Sequence, residues 1–243
     1  MFILSWDCAH KSLAYCYIEI KNKSEDDDRK VINVLACDVV DILSGSSVKE
    51  VDPIQKAILF KKHLKAILDS INIDPSTRIL IEDQPSRVGF NKTNAASQSI
   101  ANFLVYSFCD NFEVILVSPK LKQNICLKKG LEYLTIYNEQ IKQSEEKKGG
   151  QSNLSADAKA RIKYSSRKKM SVENFTWFMT QTGQMDKIKH IKKAYLDDVS
   201  DTFLQVLAKL ELKVYISDAT NVMDLDKTTI EKPTRVKKTR TKT

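Results

Sequence analysis

The order of apolar segments in residues 1–118 limits the fold more than any other feature of this sequence. Three β-rich segments come first, at residues 2–7, 12–20 and 31–42, and the short connections between them indicate an antiparallel meander. Two further buried strands are predicted at 78–83 and 112–118, each preceded by a segment of helical periodicity. This order predicts an α/β sheet of five strands, three antiparallel and two parallel, flanked by helices.

The two helices between these strands have clear sequence signals. Asp52 followed by Pro53 is a favourable helix start, because an acid caps free backbone N–H groups and proline suits the first helical position. Apolar residues then recur at helical spacing as far as Ile71. A second helix is predicted over residues 95–109, and its apolar character makes it a candidate for the core or for an interface between subunits.

Acidic residues end two of the predicted strands and begin the last long helix. Asp7 ends the first strand and Glu82 lies at the end of the fourth. Asp198 and Asp201 are three residues apart at the start of a segment whose apolar residues follow helical spacing. Each acid alone has an ordinary explanation, as a turn residue or as a complement to the helix dipole. Their conjunction is more specific, because parallel first and fourth strands would place Asp7 and Glu82 side by side.

Four carboxylate side chains without histidine or thiol form a ligand set suited to Mg²⁺ or Mn²⁺. Like charges placed so close together are unfavourable unless a cation neutralises them. Two such ions about 4 Å apart can activate water and stabilise the leaving oxygen in phosphodiester cleavage. The sequence therefore predicts two divalent ions held by Asp7, Glu82, Asp198 and Asp201, and no small-molecule cofactor.

The charge and the cysteine content indicate the kind of partner and the compartment. A net charge of +8 favours a polyanionic partner. Five cysteines without a C-x-x-C pair argue against a zinc site and fit free thiols in a reducing compartment. The N-terminus shows no targeting pattern and no apolar segment is long enough for a membrane span, so we expect an intracellular protein that is neither secreted nor membrane-bound.

Basic residues are concentrated in two regions. Residues 161–169 form a dense basic stretch that leads into a helix expected to begin at Ser171. Residues 227–243 are basic and rich in threonine with almost no apolar content, which is typical of a disordered tail.

The remaining segments set the expected domain organisation. The charged residues 24–30 are expected to form a solvated loop, and residues 121–153 do not fit the alternation of strands and helices. We therefore expect one domain over residues 1–212 with an insertion at about 121–153, followed by an extension over residues 213–243.

Four motifs resemble those of the RNase H-like nuclease superfamily, and most closely those of the poxvirus-type Holliday junction resolvases, relatives of bacterial RuvC. The motifs are residues 3–14, 81–85, 164–169 and 193–204, so the resemblance spans most of residues 1–212. In this family the second acid of the Asp-Asp pair and the aspartate three residues later bind metal, which here are Asp198 and Asp201. One departure is Ala9, at a position where the family usually has glycine.

The resemblance implies an RNase H-like fold and a metal-dependent endonuclease that cleaves four-way or branched DNA. Such an enzyme would act in DNA recombination and repair or in the resolution of viral concatemers, in the host cytoplasm or the nucleus. Because a junction has two equivalent strands to cut, a twofold homodimer is expected. Two other classes stay open: a nuclease of the same superfamily acting on RNA:DNA hybrids or flaps, and a relative that binds nucleic acid without cutting it.

The resemblance also assigns roles to individual residues. Asp7 would bridge both ions, and the lysine expected near the scissile phosphate would be Lys168, or Lys169 beside it. Further contacts to the DNA backbone are expected from basic residues after strand ends and within the basic stretch, namely Arg87, Lys92, Lys120, Lys122, Arg167 and Lys169.

Overall fold

The structure is a computed structural model that describes residues 1–9, 11–25, 27–43, 45–46, 51–84, 95–146 and 154–212. In these residues the chain forms one mixed sheet of five strands with helices on both faces, which confirms the predicted α/β fold with three antiparallel and two parallel strands. The strands are β1 Phe2–Cys8, β2 Ser12–Ser24, β3 Asp27–Asp41, β4 Arg78–Glu82 and β5 Glu113–Val117. The helices are α1 Pro53–Ile71, α2 Ala95–Phe108, α3 Tyr133–Glu146, α4 Ala156–Gln181 and α5 Leu196–Leu210.

The strand order in the sheet is β3-β2-β1-β4-β5. The β1–β2 and β2–β3 pairs are antiparallel, whereas the β1–β4 and β4–β5 pairs are parallel. In the parallel register Trp6 of β1 lies opposite Ile81 of β4. The next residues along the two strands are Asp7 and Glu82, so both acids lie at the same edge of the sheet.

The two faces of the sheet belong to separate apolar cores. On one face Trp6 is fully buried with side chains of α1 and α2. On the other face Ile3 and Leu80 pack against α4 and α5. Side chains alternate along a strand, so Asp7 shares the face of Ile3, and Glu82 shares the face of Leu80. The sheet therefore directs both acids toward the layer that contains α5.

The predicted start of α1 is confirmed. The Asp52 carboxylate accepts hydrogen bonds from the backbone N–H groups of Ile54 and Gln55, at 2.8 and 3.0 Å. These bonds satisfy backbone groups that have no partner within the helix. The buried residues Phe60, Leu64 and Ile67 then hold α1 against the sheet.

The predicted helix start at Ser171 is wrong. Helix α4 begins at Ala156, after Ser155, whose hydroxyl accepts a hydrogen bond from the backbone N–H of Ala158 at 3.2 Å. Ser171 is buried in the middle of the same helix. The basic residues 161–169 are mostly good helix formers, so they continue the helix instead of leading into it. The basic stretch is therefore a helical surface.

The predicted loop over residues 24–30 is also wrong, because β2 and β3 continue into it. Ser24 pairs with Asp27, and Asn22 pairs with Lys30, whose ammonium group donates a 2.7 Å hydrogen bond to the side chain of Asn22. Polar side chains do not prevent a ladder of backbone hydrogen bonds in an exposed two-stranded ribbon. The connection between the two strands is consequently much shorter than the charge pattern indicated.

Residues 121–146 fall in the region predicted as an insertion. They contain a 3₁₀ helix, Leu121–Asn124, and α3, whose Ile136 is buried in the core shared with α4 and α5. The side-chain oxygen of Gln140 on α3 accepts a 2.8 Å hydrogen bond from Ser166 on α4. Within the described ranges, none of the helices has the length and apolar character that crossing a membrane requires.

Candidate metal centre

Three acids from three separate elements meet at one edge of the sheet. Asp7 of β1, Glu82 of β4 and Asp201 of α5 each place a carboxylate oxygen so that these atoms lie within 4.8 Å of one another. All three side chains are partly exposed, so solvent and small ions reach them. We call these three residues the acidic cluster. The structure thus brings together three of the four ligands predicted from the sequence.

Asp198, the fourth predicted ligand, lies beside the acidic cluster in the first turn of α5. Burial raises its pKa to about 6, and the neighbouring charge of Asp197 also raises it. The charge of Asp198 in turn raises the pKa of Asp7. Asp198 is therefore close enough to act electrostatically on the acidic cluster.

The acidic cluster concentrates negative charge in a partly buried site. Burial raises the pKa of Asp7 well above its usual range, and the carboxylates of Glu82 and Asp201 raise it further. Such a group is stabilised by a bound cation, and donors that are all carboxylate oxygens suit a hard divalent ion. The residues present therefore fit Mg²⁺ or Mn²⁺, with Asp7, Glu82 and Asp201 as ligands and Asp198 beside them.

A lysine side chain reaches into the acidic cluster. The Nζ atom of Lys122 lies 2.6 Å from Oε2 of Glu82 and 2.9 Å from Oδ2 of Asp201. Burial alone would lower the pKa of Lys122, but attraction to Asp201, Glu82 and Asp7 outweighs burial and raises its pKa. The sequence predicts that Lys122 contacts DNA; in the structure its ammonium group binds two carboxylates and the residue is 6% exposed.

The position of Lys122 depends on a buried asparagine that is not among the residues predicted from the sequence. Lys122 lies in the 3₁₀ helix that follows β5, and the chain after this helix is anchored on α4 by Asn174. The side-chain oxygen of Asn174 accepts a 2.7 Å hydrogen bond from the backbone N–H of Leu127, and its amide donates to the carbonyl of Leu131 at 3.1 Å. No local sequence signal distinguishes Asn174 from an ordinary polar residue on a helix surface.

The other predicted functional residues have partners outside the acidic cluster, are exposed or partly buried, or lie outside the described residues. Lys168 on α4 forms an ion pair with Asp197, and its Nζ atom lies 5.2 Å from the centre of the Tyr164 ring. Lys169 pairs with Glu173 on the same helix at 3.6 Å, and Arg167 is partly buried. Lys120 is exposed. Arg87, Lys92 and the tail over 227–243 lie outside the described residues.

Comparison of the chain with protein-family models gives no match, and comparison with curated proteins gives none either. The fold is similar to the Fowlpox virus resolvase in complex with Holliday junction DNA, with 20% identity, a TM-score of 0.47, and coverage of 87% of this chain and 97% of that one. It is similar to Thermus thermophilus RuvC in complex with a Holliday junction substrate, with 12% identity, a TM-score of 0.43, and coverage of 86% and 96%.

A third similar structure is the yeast mitochondrial Holliday junction resolvase, with 17% identity, a TM-score of 0.37, and coverage of 84% of this chain and 75% of that one.

Proposed function

We propose that the chain is a metal-dependent endonuclease that hydrolyses phosphodiester bonds in four-way or branched DNA. The observation that carries the proposal is the convergence of Asp7, Glu82 and Asp201 from β1, β4 and α5 at one edge of the sheet. A protein that only binds nucleic acid gains nothing from negative charge clustered where phosphates approach. A hydrolytic enzyme gains the ligands of its metal ions.

The acids of this chain would together supply the ligands of two metal ions. Asp7 would contribute to both ion sites, which its distance of no more than 4.8 Å from a carboxylate oxygen of both Glu82 and Asp201 supports. Glu82, Asp198 and Asp201 complete the ligands. When bound, Mg²⁺ or Mn²⁺ supplies Lewis-acid activation of water and neutralises charge on the phosphate. The fixed backbone of β1, β4 and α5 keeps the carboxylates in place for this chemistry.

Basic residues near the acidic cluster would bind the substrate. Lys168 is 42% exposed at its side chain and lies next to Asp197, so its ammonium group is available to the phosphate being cleaved. Lys120, Arg167 and Lys169, with Arg87 and Lys92, are the proposed contacts to the DNA backbone, whereas Lys122 is buried against Glu82 and Asp201 and is not among them. The net charge of +8 supports binding of a polyanion.

The choice of branched DNA and the subunit arrangement rest on the sequence motifs. A four-way junction has two equivalent strands to cut, and a twofold homodimer would present one metal centre to each. Tyr106 on α2 is 76% exposed and Leu116 on β5 is 53% exposed, and these side chains support an interface near α2. We place the activity inside the cell, in recombination and repair or in the resolution of viral concatemers.

One observation favours a second candidate, a relative that binds nucleic acid without cutting it. The ammonium group of Lys122 already neutralises part of the charge that a metal ion would otherwise neutralise. A protein without metal would keep the acidic cluster stable in this way.

A cleavage assay separates the candidates. The protein is incubated with Mg²⁺ or with a chelator on four matched substrates: a four-way junction, a flap, an RNA:DNA hybrid and a linear duplex. We expect paired, symmetric cuts in the junction that require Mg²⁺ and that the Asp201→Asn variant does not make. Binding of the junction without any cut under all conditions would favour the silent relative, and preferred cutting of the hybrid or the flap would replace the substrate proposed here.

A further inference from the structure

Lys122 is a charged side chain buried among the residues proposed to bind metal. Its exposed fraction is 6%, and its Nζ atom lies within hydrogen-bond distance of both Glu82 and Asp201. Lysine is rarely buried unless it is paired, and here both partners belong to the acidic cluster. A positive charge is thus held at the point where three carboxylates meet.

The ammonium group acts on the acidic cluster as a cation. The Nζ atom of Lys122 lies 2.6 Å from Oε2 of Glu82 and 2.9 Å from Oδ2 of Asp201, and two carboxylates at such distances favour the charged form of an amine. Removing one member of a buried charged group leaves the others without compensation. Lys122 therefore stabilises the acidic cluster when no other cation is present.

The fold fixes the backbone at this position, and the lysine side chain itself can still rotate. The 3₁₀ helix with Lys122 is fixed by β5 before it and by the Asn174 hydrogen bonds after it. The lysine side chain is a flexible chain of four methylene groups that ends in a compact charge. The backbone thus directs the Lys122 side chain toward the acidic cluster. Rotation about its side-chain bonds is enough to move the ammonium group away from the carboxylates.

A divalent ion and the ammonium group require the same oxygen atoms. Glu82 and Asp201 supply two of the three carboxylates of the acidic cluster, and Lys122 binds both. Two cations that share ligands a few ångströms apart in a partly buried site repel each other strongly. Simultaneous occupation is therefore unfavourable.

We propose that Lys122 is a tethered cation that occupies the acidic cluster until a divalent ion displaces it. The inference rests on the proposed function for the presence of a divalent ion. It adds a specific role for Lys122, which keeps the metal-free site folded and sets the ion concentration at which the site is loaded.

The first experiment measures ion binding by calorimetry with Mn²⁺ alone, in the absence of DNA. The Lys122→Met variant removes the charge and keeps a flexible side chain of similar length. The Lys129→Met variant removes the same charge from an exposed position and serves as the matched control. We expect Lys122→Met to bind Mn²⁺ with a roughly tenfold lower Kd than the wild type. We expect Lys129→Met to match the wild type.

The same variants are compared in thermal unfolding. In chelator, Lys122→Met should unfold at a lower temperature than the wild type, because three acids lose their counter-charge. Saturating Mn²⁺ should then raise its melting temperature by more than it raises that of the wild type, by about 3 °C. An equal rise in both proteins contradicts the inference.

The second experiment uses the wild type and detects displacement itself. Lysines are labelled with an amine-reactive reagent in chelator and in saturating Mn²⁺, and labelling is read residue by residue by mass spectrometry. Lys122 should be protected in chelator and become labelled with Mn²⁺, whereas Lys129 should be labelled equally in both. This measurement needs no variant, so it holds even if Lys122→Met does not fold.

The outcomes separate this inference from the proposed function. If Mn²⁺ binds equally well to the wild type and Lys122→Met, or binds while Lys122 stays protected, the inference is wrong and the metal centre stands. If neither protein binds Mn²⁺, both the inference and the metal-dependent function are wrong. If only Lys122→Met binds Mn²⁺, the ion does not displace Lys122 in the wild type, so the inference is wrong although the carboxylates can hold an ion.

Discussion

The ammonium group of Lys168 on α4 binds the carboxylate of Asp197 in the first turn of α5. Asp197 thus faces a lysine on a neighbouring helix, whereas Asp198, the next residue, lies beside the acidic cluster. Adjacent residues on a helix point about 100° apart, so the two acids of the pair have different partners. In this geometry Asp197 is paired with a lysine, and Asp198 is left with the acidic cluster as its electrostatic neighbour.

The first prediction compares the two acids of this pair. Asp198→Asn should reduce cleavage by roughly 10²- to 10³-fold, because it loses a metal ligand. Asp197→Asn should keep most of the activity and lose only about 0.5 kcal/mol of folding free energy, since Lys168 is 42% exposed and the pair is screened by solvent. Cleavage rates and urea unfolding of both variants test this. An inactive Asp197→Asn beside an active Asp198→Asn would reverse the assignment.

The second prediction concerns the pH dependence of stability in the metal-free protein. The pKa of Asp198 is raised from 3.8 to about 6 in the folded state, mainly by burial. Between these values the folded state keeps a proton that the unfolded state releases, so this group's contribution to stability is lost as pH rises toward 6. Asp198→Asn has no such proton to lose.

Melting temperatures in chelator measure this effect. The melting temperature of Asp198→Asn minus that of the wild type should increase as pH rises through the interval from 3.8 to about 6, and then level off. Asp197→Asn should move the transition to lower pH, because the charge of Asp197 contributes to the raised pKa of Asp198. A difference that stays constant across this interval would mean that Asp198 is not buried enough to hold its proton.

The sheet and the acidic cluster could be predicted from the sequence, because both follow from the order of strands and helices and from helical spacing. These patterns can be read without knowing the tertiary structure. Alternating strands and helices after a meander specify that β1 and β4 are parallel, and parallel strands bring Asp7 and Glu82 to one edge. Helical spacing after Asp201 identifies α5, whose buried face carries that acid to the sheet. Each step uses backbone geometry alone.

Lys122 and Asn174 show where prediction from the sequence ends. Lys122 follows β5 at the same edge as Glu82, and its position at that edge was predicted. Whether a lysine there points outward to phosphates or inward to acids depends on the packing of α5, which the sequence does not show. Asn174 becomes important only because residues 125–131 pass over α4. The prediction of a helix start at Ser171 was wrong for a related reason. A serine caps a helix only where the backbone before it is not already helical.

The third prediction concerns ion selectivity. Mg²⁺ and Mn²⁺ should both support cleavage, because the ligands are all carboxylate oxygens. Ca²⁺ should support junction binding without turnover, since it accepts looser geometry and more ligands. Binding and cleavage assays across the three ions check this. Robust cleavage after complete chelation would exclude a metal mechanism.

The fourth prediction concerns the basic tail, which lies outside the described residues. Residues 227–243 carry seven lysines and arginines and one glutamate. For each phosphate that the truncated protein no longer neutralises, the dependence of log K on log salt concentration should flatten by about one unit. Deleting 227–243 should therefore weaken binding to junction and linear duplex alike and leave cleavage at saturating enzyme intact.

The alternative role for this tail is a localisation signal, an address that directs transport of the protein within the cell. Kd values measured against salt concentration for the full-length and truncated proteins distinguish the two roles. An unchanged salt dependence would exclude the DNA-binding role, and altered distribution in cells would then support the address.

The fifth prediction concerns Asn174, which is fully buried and bonded to the backbone of Leu127 and Leu131. Asn174→Ala leaves a buried N–H and a buried carbonyl without partners, so the free energy of unfolding should fall by about 2–4 kcal/mol. Asn138→Ala, at an exposed position on α3, is the control and should be close to neutral. Urea unfolding measures both.

Asn174→Ala should also release Lys122 from the acidic cluster, because the chain after the 3₁₀ helix loses its anchor on α4. In chelator, Lys122 should then react with an amine-directed reagent faster than in the wild type, under conditions where both proteins remain folded. A purely local loss of stability would leave that reactivity unchanged. Faster labelling of Lys122 in Asn174→Ala and not in Asn138→Ala would therefore identify Asn174 as the residue that positions the buried ammonium group.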